Sequence, residues 1–321
     1  MADITVDASV STLLYKQAVR LGPVWVSTST AYVIYRDDSA DLVYQKTADG
    51  GASWASPVSV HTGSLAALSI WYDRWTPGHA GTVIHMAYGD TVTDLVHYRS
   101  LDTSDDSLGT EITVFTGVSL LDGDWTNRVV DVVRAVGGNL YIGFWADSNG
   151  GELGFYRSTD DGAAWTSRAQ LADGNATDGI LLMPGNETDE DDIWCIYWDR
   201  SADEISLKVY DNSGDSWAET SIATSMADDV DYYDMSAAPR HSDGHVILAA
   251  WSEHNSATAD LRVWDIDGSG SITAKTNVLT DTNLGGQVAV FIDQQTDAIY
   301  VAYVTTWGAS ASIKYKKSTD G

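Results

Sequence analysis

The chain alternates between short apolar runs and polar, glycine-containing breaks, and the same succession of runs recurs six times. One set of runs is strongly apolar: Val24–Val26, Leu68–Tyr72, Val129–Val133, Ile180–Met183, Met235–Ala238 and Val288–Ile292. A second set follows each of these and ends in an aromatic residue: Tyr32–Tyr35, Val83–Tyr88, Leu140–Trp145, Ile193–Trp198, Val246–Trp251 and Ile299–Tyr303. A third set opens on a polar residue: Asp41–Lys46, Asp94–Arg99, Glu152–Arg157, Glu204–Val209, Asp260–Trp264 and Ser312–Lys317. A fourth, more polar set follows in five places: Trp54–Val60, Glu111–Phe115, Trp165–Leu171, Trp217–Ala223 and Ser271–Leu279. Runs this short, rich in β-branched and aromatic residues and bounded by turn formers, predict strands.

Between the third and fourth runs lies a repeated turn. Thr47-Ala48-Asp49-Gly50-Gly51-Ala52-Ser53-Trp54 and Ser158-Thr159-Asp160-Asp161-Gly162-Ala163-Ala164-Trp165 share the pattern [S/T]-x-D-x-G-x-x-W. A degenerate copy, Tyr210-Asp211-Asn212-Ser213-Gly214-Asp215-Ser216-Trp217, has Asn212, Gly214 and Trp217 at the matching places, and Ser318-Thr319-Asp320-Gly321 begins another. Ser100-Leu101-Asp102 and Asp265-Ile266-Asp267-Gly268-Ser269 occupy the two remaining slots. The first positions, 47, 100, 158, 210, 265 and 318, are spaced by 53, 58, 52, 55 and 53 residues. Six four-stranded units at this period fill residues 1–321 and predict a single all-β domain, a six-bladed β-propeller of antiparallel blades. Apolar content falls from first run to fourth, which orders each blade from its innermost strand outward. The sixth unit lacks a fourth run, and residues 3–6 (Asp-Ile-Thr-Val) resemble Glu111-Ile112-Thr113-Val114. The N-terminal strand is therefore expected to complete blade six and close the ring.

Composition supports this reading. There are 28 Gly against 5 Pro, and 13 Trp with 16 Tyr against 4 Phe, the balance of a protein made of tight turns and half-buried sheet positions. Of 46 acidic residues only seven are Glu. Aspartate favours turns, where its carboxylate bonds nearby backbone amides, whereas Glu favours helix surfaces. The formal net charge of −28 argues against nucleic acid as a partner. No stretch is apolar for long enough to span a bilayer, and the first residues carry no secretion signal, so a soluble monomer is expected, in a compartment the sequence leaves open. An extracellular or virion-borne setting fits. Cys195, the single cysteine, lies in the apolar run Ile193–Tyr197 and reads as an inert buried thiol.

The repeated turn resembles the Asp-box, and the units resemble the bacterial neuraminidase repeats of sialidases and related six-bladed propellers. The resemblance implies that the box joins the third and fourth strands of a blade, with its Asp bonding turn amides, its Gly supplying a permissive backbone and its Trp packing between strands. It thus implies a structural role at the rim for Asp49, Gly51, Trp54, Asp102, Asp160, Gly162, Trp165, Asn212, Gly214, Trp217 and Asp320. It also implies where chemistry would lie. Sialidases hold the sialate carboxylate with three arginines, beside a Tyr–Glu pair and an Asp acid/base. The Arg-Ile-Pro motif of that family is absent; Arg20-Leu21-Gly22-Pro23 is the nearest sequence.

In an up-and-down blade, the loop entering the first strand and the loop joining the second and third lie at one end, opposite the repeated turn. Arg20 and Arg128 directly precede first strands, and Arg36 and Arg200 follow second strands. The same loops carry Asp37, Asp199, Tyr232 and Tyr233, and Asp124, Trp125 and Trp307 add a carboxylate and aromatics at loop positions. Carboxylates bond sugar hydroxyls and aromatic rings stack on sugar faces, so a glycan or another small polar ligand is the expected partner. No catalytic set and no cofactor follow from these residues. Calcium stays open at Asp265–Ser271, whose twelfth loop position is Thr276 rather than the bidentate Glu, and in the acidic segment 186–192. The seven His show no zinc-ligand spacing along the chain.

Overall fold

The computed structural model describes residues 4–10, 20–90, 92–117, 129–146, 152–173, 178–185, 191–226, 235–253, 258–280, 287–304 and 312–319. Six antiparallel sheets follow one another along the chain, and the fold is the expected six-bladed β-propeller. Blade one comprises β1 (Val24–Trp25), β2 (Ala31–Arg36), β3 (Leu42–Thr47) and β4 (Val58–His61). Blade two has β5 (Leu65–Tyr72), β6 (Val83–Asp90) and β7 (Leu95–Asp102), with the short β8 (Ser107–Leu108) and β9 (Ile112–Thr116) both pairing with β7. Blade three is β10 (Val130–Arg134), β11 (Leu140–Ala146), β12 (Glu152–Ser158) and β13 (Thr166–Ser167). Blade four is β14 (Gly179–Pro184), β15 (Ile193–Asp199), β16 (Glu204–Asp211) and β17 (Ser216–Thr224). Blade five is β18 (Met235–Pro239), β19 (Val246–Trp251), β20 (Leu261–Ile266) and β21 (Ile272–Ala274), and blade six is β22 (Val288–Asp293), β23 (Ala298–Val304) and β24 (Ile313–Ser318).

Within each blade the strands are hydrogen-bonded in chain order, so the predicted succession from first run to fourth is the succession across the sheet. Burial follows the same gradient. All eight residues of β5 and all six of β14 are buried, whereas β17 has no fully buried position. A continuous apolar run suits a strand covered on both faces, and a polar run suits one that meets water. Cys195 lies at 0% exposure on β15, as its apolar neighbours require. Among the described residues, helical structure is limited to a 3-10 turn at Asp73–Trp75, and no helix is long and apolar enough to cross a membrane.

The contacts divide the chain into two compact units. Blades one to three make up the first, and blades four to six, with segments 75–79 and 134–139, make up the second. In the second unit segment 75–79 is stitched to two hairpins. Thr76 Oγ1 donates to the Arg134 carbonyl at 2.8 Å, His79 Nε2 meets the Val136 carbonyl at 2.7 Å, and His241 Nε2 meets the Trp75 carbonyl at 3.1 Å.

The expected closure by the N-terminal strand is not what the described residues form. The sheet of blade six has three strands, and residues 4–6 are not a strand. The segment that follows belongs to blade one instead. Tyr35 donates to Asp7 Oδ2 at 2.6 Å, the Asp38 amide donates to the Ser9 carbonyl at 3.0 Å, and Val10 makes a β-bridge with Asp37. Similarity to β9 identified residues 3–6 as strand-like, but these bonds to the β2–β3 loop direct the segment elsewhere.

The repeated turns join third to fourth strands. At Asp49 the carboxylate accepts from the Ser53 amide at 2.9 Å, Ser53 Oγ at 2.6 Å and Thr47 Oγ1 at 2.8 Å, and the Gly51 amide bonds Thr47 Oγ1 at 3.0 Å. Asp160 repeats this with the Ala164 amide at 2.9 Å and Ser158 Oγ at 2.8 Å. Asp102 takes the Ser104 amide at 2.9 Å. The degenerate copy in blade four is shifted by one residue. In blade four the turn carboxylate is Asp211, bonded to the amides of Ser213 and Gly214, while Asn212 donates its own amide to Asp192 at 2.7 Å. In blade five the register is kept: Asp267, third in its slot, is bonded to the amides of Ser269 and Ser271 at 2.9 and 3.0 Å. Any Asp that can reach amides two to four residues ahead can hold such a turn, so the motif tolerates slippage. Asp320 lies outside the described residues.

Candidate functional site

Polar side chains are scarce on the inner strands, which makes those that occur there conspicuous. In the first unit Asp131, on β10, is fully buried. Its carboxylate accepts from Arg20 Nη1 at 2.6 and 2.8 Å, from Ser69 Oγ of β5 at 2.6 Å and from the Val132 amide at 2.9 Å. The Arg20 guanidinium carbon lies 4.9 Å from the centre of the Trp71 ring, also on β5, and the Arg20 carbonyl accepts from the Ile70 amide at 3.2 Å. Three consecutive blades therefore supply one guanidinium, one carboxylate, one hydroxyl and one indole. A charge pair of this kind needs the extra hydrogen bonds, because its mutual attraction alone does not offset the loss of water. Ser69 and Asp131 are fully buried and Trp71 is nearly so, so they tie the inner strands together, and of the four side chains Arg20 alone is partly exposed.

In the second unit, Asp178 stands immediately before β14. Its carboxylate accepts from Tyr197 Oη at 2.9 Å and from the Arg200 amide at 3.2 Å. Burial, and then the Asp178 charge, push the Tyr197 phenol well above its ordinary value, so it remains a donor. The Arg200 guanidinium lies 5.4 Å from the Trp198 ring centre and is buried. Arg36 is also buried; desolvation lowers its pKa and neighbouring Asp37 opposes that. The carboxylates of Asp37 and Asp199 hold their own loops. Asp37 accepts from the amides of Ser39 and Asp41, both at 2.9 Å, and Asp199 from those of Ser201 and Ala202 at 2.9 and 3.1 Å. These two aspartates serve turn formation first. Asp124, Trp125, Arg128, Tyr232, Tyr233 and Trp307 lie outside the described residues, as does segment 186–190. The Asp265–Ser271 loop is organised around protein partners: Asp265 Oδ1 meets His245 Nδ1 at 2.6 Å and Oδ2 meets Lys275 Nζ at 3.2 Å.

Two polar clusters were not visible along the sequence. In the first, Asp73 Oδ1 meets His85 Nε2 at 2.9 Å, and His85 Nδ1 meets Tyr98 Oη at 2.7 Å. The order carboxylate, imidazole, hydroxyl is that of a proton relay, but all three residues are at most 2% exposed, so the relay ties the 3-10 turn after β5 to β6 and β7. The second lies between the outer strands of blades one and two. His61 ends β4, Tyr88 and Asp90 belong to β6, His97 to β7, and Glu111 precedes β9. His61 Nδ1 meets Glu111 Oε2 at 2.8 Å and Tyr88 Oη donates to the same oxygen at 2.6 Å. His61 Nε2 lies 3.4 Å from Asp90 Oδ2, and the His61 and His97 rings are 5.2 Å apart. Burial works to raise the Glu111 pKa, but the bonds from Tyr88 and His61 prevail and hold it below the carboxylate range. Burial pushes the His97 imidazole down, against the pull of Glu111. No single spacing rule finds this set, because its members come from three strands of two blades and the residue before a fourth.

No protein-family model matches the chain, and no curated protein sequence matches it. Solved structures do. An ulvan lyase of polysaccharide lyase family PL25, bound to -[GlcA(1-4)Rha3S]-, aligns with a TM-score of 0.63 at 11% identity, over 98% of this chain and 83% of its own. The fucose-recognising six-bladed propeller lectin of Aleuria aurantia aligns with a TM-score of 0.57 at 14% identity, over 95% and 92%. A Hadza microbial sialidase aligns with a TM-score of 0.53 at 12% identity, over 91% and 63%. At these identities the similarity is one of fold.

Proposed function

We propose that this chain is a carbohydrate-recognition propeller of the Asp-box kind, binding a glycan or a related small polar ligand at the end of the blades opposite the repeated turns. The observation that carries the reading is the Arg20–Asp131–Ser69 group set against the Trp71 ring at the inner strands. Asp131, Ser69 and Trp71 are buried and hold the guanidinium in place, so a polar ligand would meet the part-exposed Arg20. Lectins, a polysaccharide lyase and a sialidase among the similar structures support a saccharide ligand. The Asp-box assignment is supported by the turns at Asp49 and Asp160, whose side chains bond the amides four residues ahead.

A sialidase-type glycoside hydrolase is the second reading, favoured by the sialidase among those structures. It would require three arginines gathered on one carboxylate ligand, and Arg20 already directs Nη1 to Asp131. A glycan array run beside fluorogenic sialoside and other glycoside assays separates the two. Saturable binding to a defined saccharide class without turnover is the expected result. Release of the fluorophore would replace recognition by hydrolysis, and an array with no specific signal would leave the chain a protein-binding scaffold.

A further inference from the structure

The His cluster between blades one and two has the form of a metal site. Its side chains are deeply buried: His61 is 9% exposed, His97 7% and Asp90 3%. Among the described residues His61 Nε2 and both ring nitrogens of His97 have no hydrogen-bond partner. Buried imidazole nitrogens are expected to be bonded, and each that is not requires a reason. His61, Asp90 and His97 each offer a ligand atom, and these atoms all lie within 4.8 Å of one another.

The surrounding bonds point the same way. His61 Nδ1 donates to Glu111, which puts the imidazole lone pair on Nε2, toward Asp90. An imidazole nitrogen and a carboxylate oxygen 3.4 Å apart attract only when a proton or a metal cation lies between them. With metal–ligand bonds of about 2.0–2.2 Å, adjacent ligands around a tetrahedral zinc ion are about 3.3–3.6 Å apart. A histidine that ligates through one nitrogen and donates from the other to a carboxylate is the common outer-shell arrangement of such sites. Asp90 is itself fixed, accepting from the Val92 amide at 2.7 Å and from Thr93 Oγ1 at 2.8 Å. The nearby cation, Arg99, is turned onto the carbonyls of Val60 and Gly109.

Gly63 adds an independent observation. A β-carbon on this residue would stand 2.8 Å from His61 Nε2 and 3.2 Å from Asp90 Oδ2, crowding the same two ligand atoms. The absence of a side chain at position 63 thus leaves room beside both atoms.

We propose that His61 Nε2, His97 and Asp90 Oδ2 bind one divalent transition-metal ion of the zinc class, with Glu111 orienting His61. Two imidazoles and one carboxylate suit zinc and its neighbours rather than calcium or magnesium, which take oxygen ligands. Glu111, 33% exposed, marks the side open to solvent. The ion would join β4 of blade one to β6 and β7 of blade two. This site is separate from the Arg20–Asp131 group.

The experiment uses the full chain, stripped by chelator dialysis and then titrated with Zn2+ and, separately, Co2+. One equivalent bound is expected, with the intense visible bands of four-coordinate Co2+ and a melting temperature raised by about 5 °C at saturating Zn2+. His97→Gln should weaken binding at least about 100-fold and Glu111→Gln about 10- to 100-fold. Gly63→Ala keeps every ligand yet should abolish the cobalt bands, which covers the case in which a ligand variant fails to fold. His245→Gln, at the separate His245–Asp265 pair, should bind as the unaltered chain does. A chain that takes up no stoichiometric metal overturns the proposal. So does uptake that His97→Gln and Gly63→Ala leave unchanged, since that is non-specific cation binding to an acidic surface.

Discussion

The phenol ring of Tyr98, on β7 of blade two, occupies the place where a β-carbon on Gly162 of blade three would stand. Gly162 is the glycine of a repeated turn, with φ of +89°, and its carbonyl accepts from Trp165 Nε1 at 3.1 Å. The Trp165 ring in turn lies 5.1 Å from that of Tyr98. The turn glycine therefore serves two needs, a left-handed backbone and close approach of the preceding blade.

Gly162→Ala should accordingly destabilise the protein by about 2–4 kcal/mol, combining the cost of a positive φ with that of overpacking. Gly78, at φ +80° with nothing near its virtual β-carbon, provides the control, and its Ala variant should lose only about 1 kcal/mol. Urea denaturation of both variants checks the difference. Equal losses would show that Tyr98 moves aside without cost.

Arg20 and Asp131 should be strongly coupled. Arg20→Ala removes the guanidinium from a fully buried carboxylate and should cost about 3–5 kcal/mol. Replacing both partners by apolar residues, Arg20→Met with Asp131→Leu, should recover most of that loss. A double-mutant cycle by denaturant unfolding measures the coupling; additive losses would mean that the pair acts as two independent groups.

The turn carboxylates predict an acid limb of stability. Hydrogen bonds from the Ser53 side chain, its amide and the Thr47 hydroxyl bring Asp49 down to about 2, from 3.8. Asp160, Asp211 and Asp267 are lowered likewise by the amide and hydroxyl donors of their turns. A carboxyl depressed in the folded state contributes stability above its unfolded value and loses it as pH falls through the folded one. The stability difference between the unaltered chain and Asp49→Ala should therefore be constant from pH 7 to about 5 and disappear between about pH 4 and 2. At neutral pH Asp211→Ala should lower the denaturation midpoint more than Asn212→Ala does. The reverse order would return the turn to the register of the sequence motif.

The parts of the structure legible in the sequence are those that repeat. A fully buried strand such as β14 must be continuously apolar, and an outer strand such as β17 must carry polar residues, so strand order could be read from composition alone. Turn register was less legible, because Asp211 and Asn212 are adjacent and both types hold turns. The N-terminal segment was misplaced because similarity to β9 says nothing of the bonds from Tyr35 and Asp38. Of the candidate site, Arg20 was found through its place before a first strand, but its partner Asp131 was not, since a lone Asp within Val129–Val133 has no pattern. The set His61, Asp90, His97 and Glu111 is dispersed over fifty residues and becomes a set only when two blades are paired.

The exposed third strand of blade six has a consequence for how copies of this protein meet in solution. β24 carries Lys314, Lys316 and Lys317 in six residues, on a chain with only 18 basic residues in all, and Ile313 and Tyr315 beside them are 80% and 67% exposed. An outermost strand with apolar side chains is a template for another strand, and lysines are the usual means of preventing its use. Among the described residues no fourth strand pairs with β24; two copies meeting there would oppose Lys314 and Lys317, while Lys316 is turned onto the Val278 carbonyl. Neutralising Lys314 and Lys317 should increase self-association through this edge, as light scattering would register.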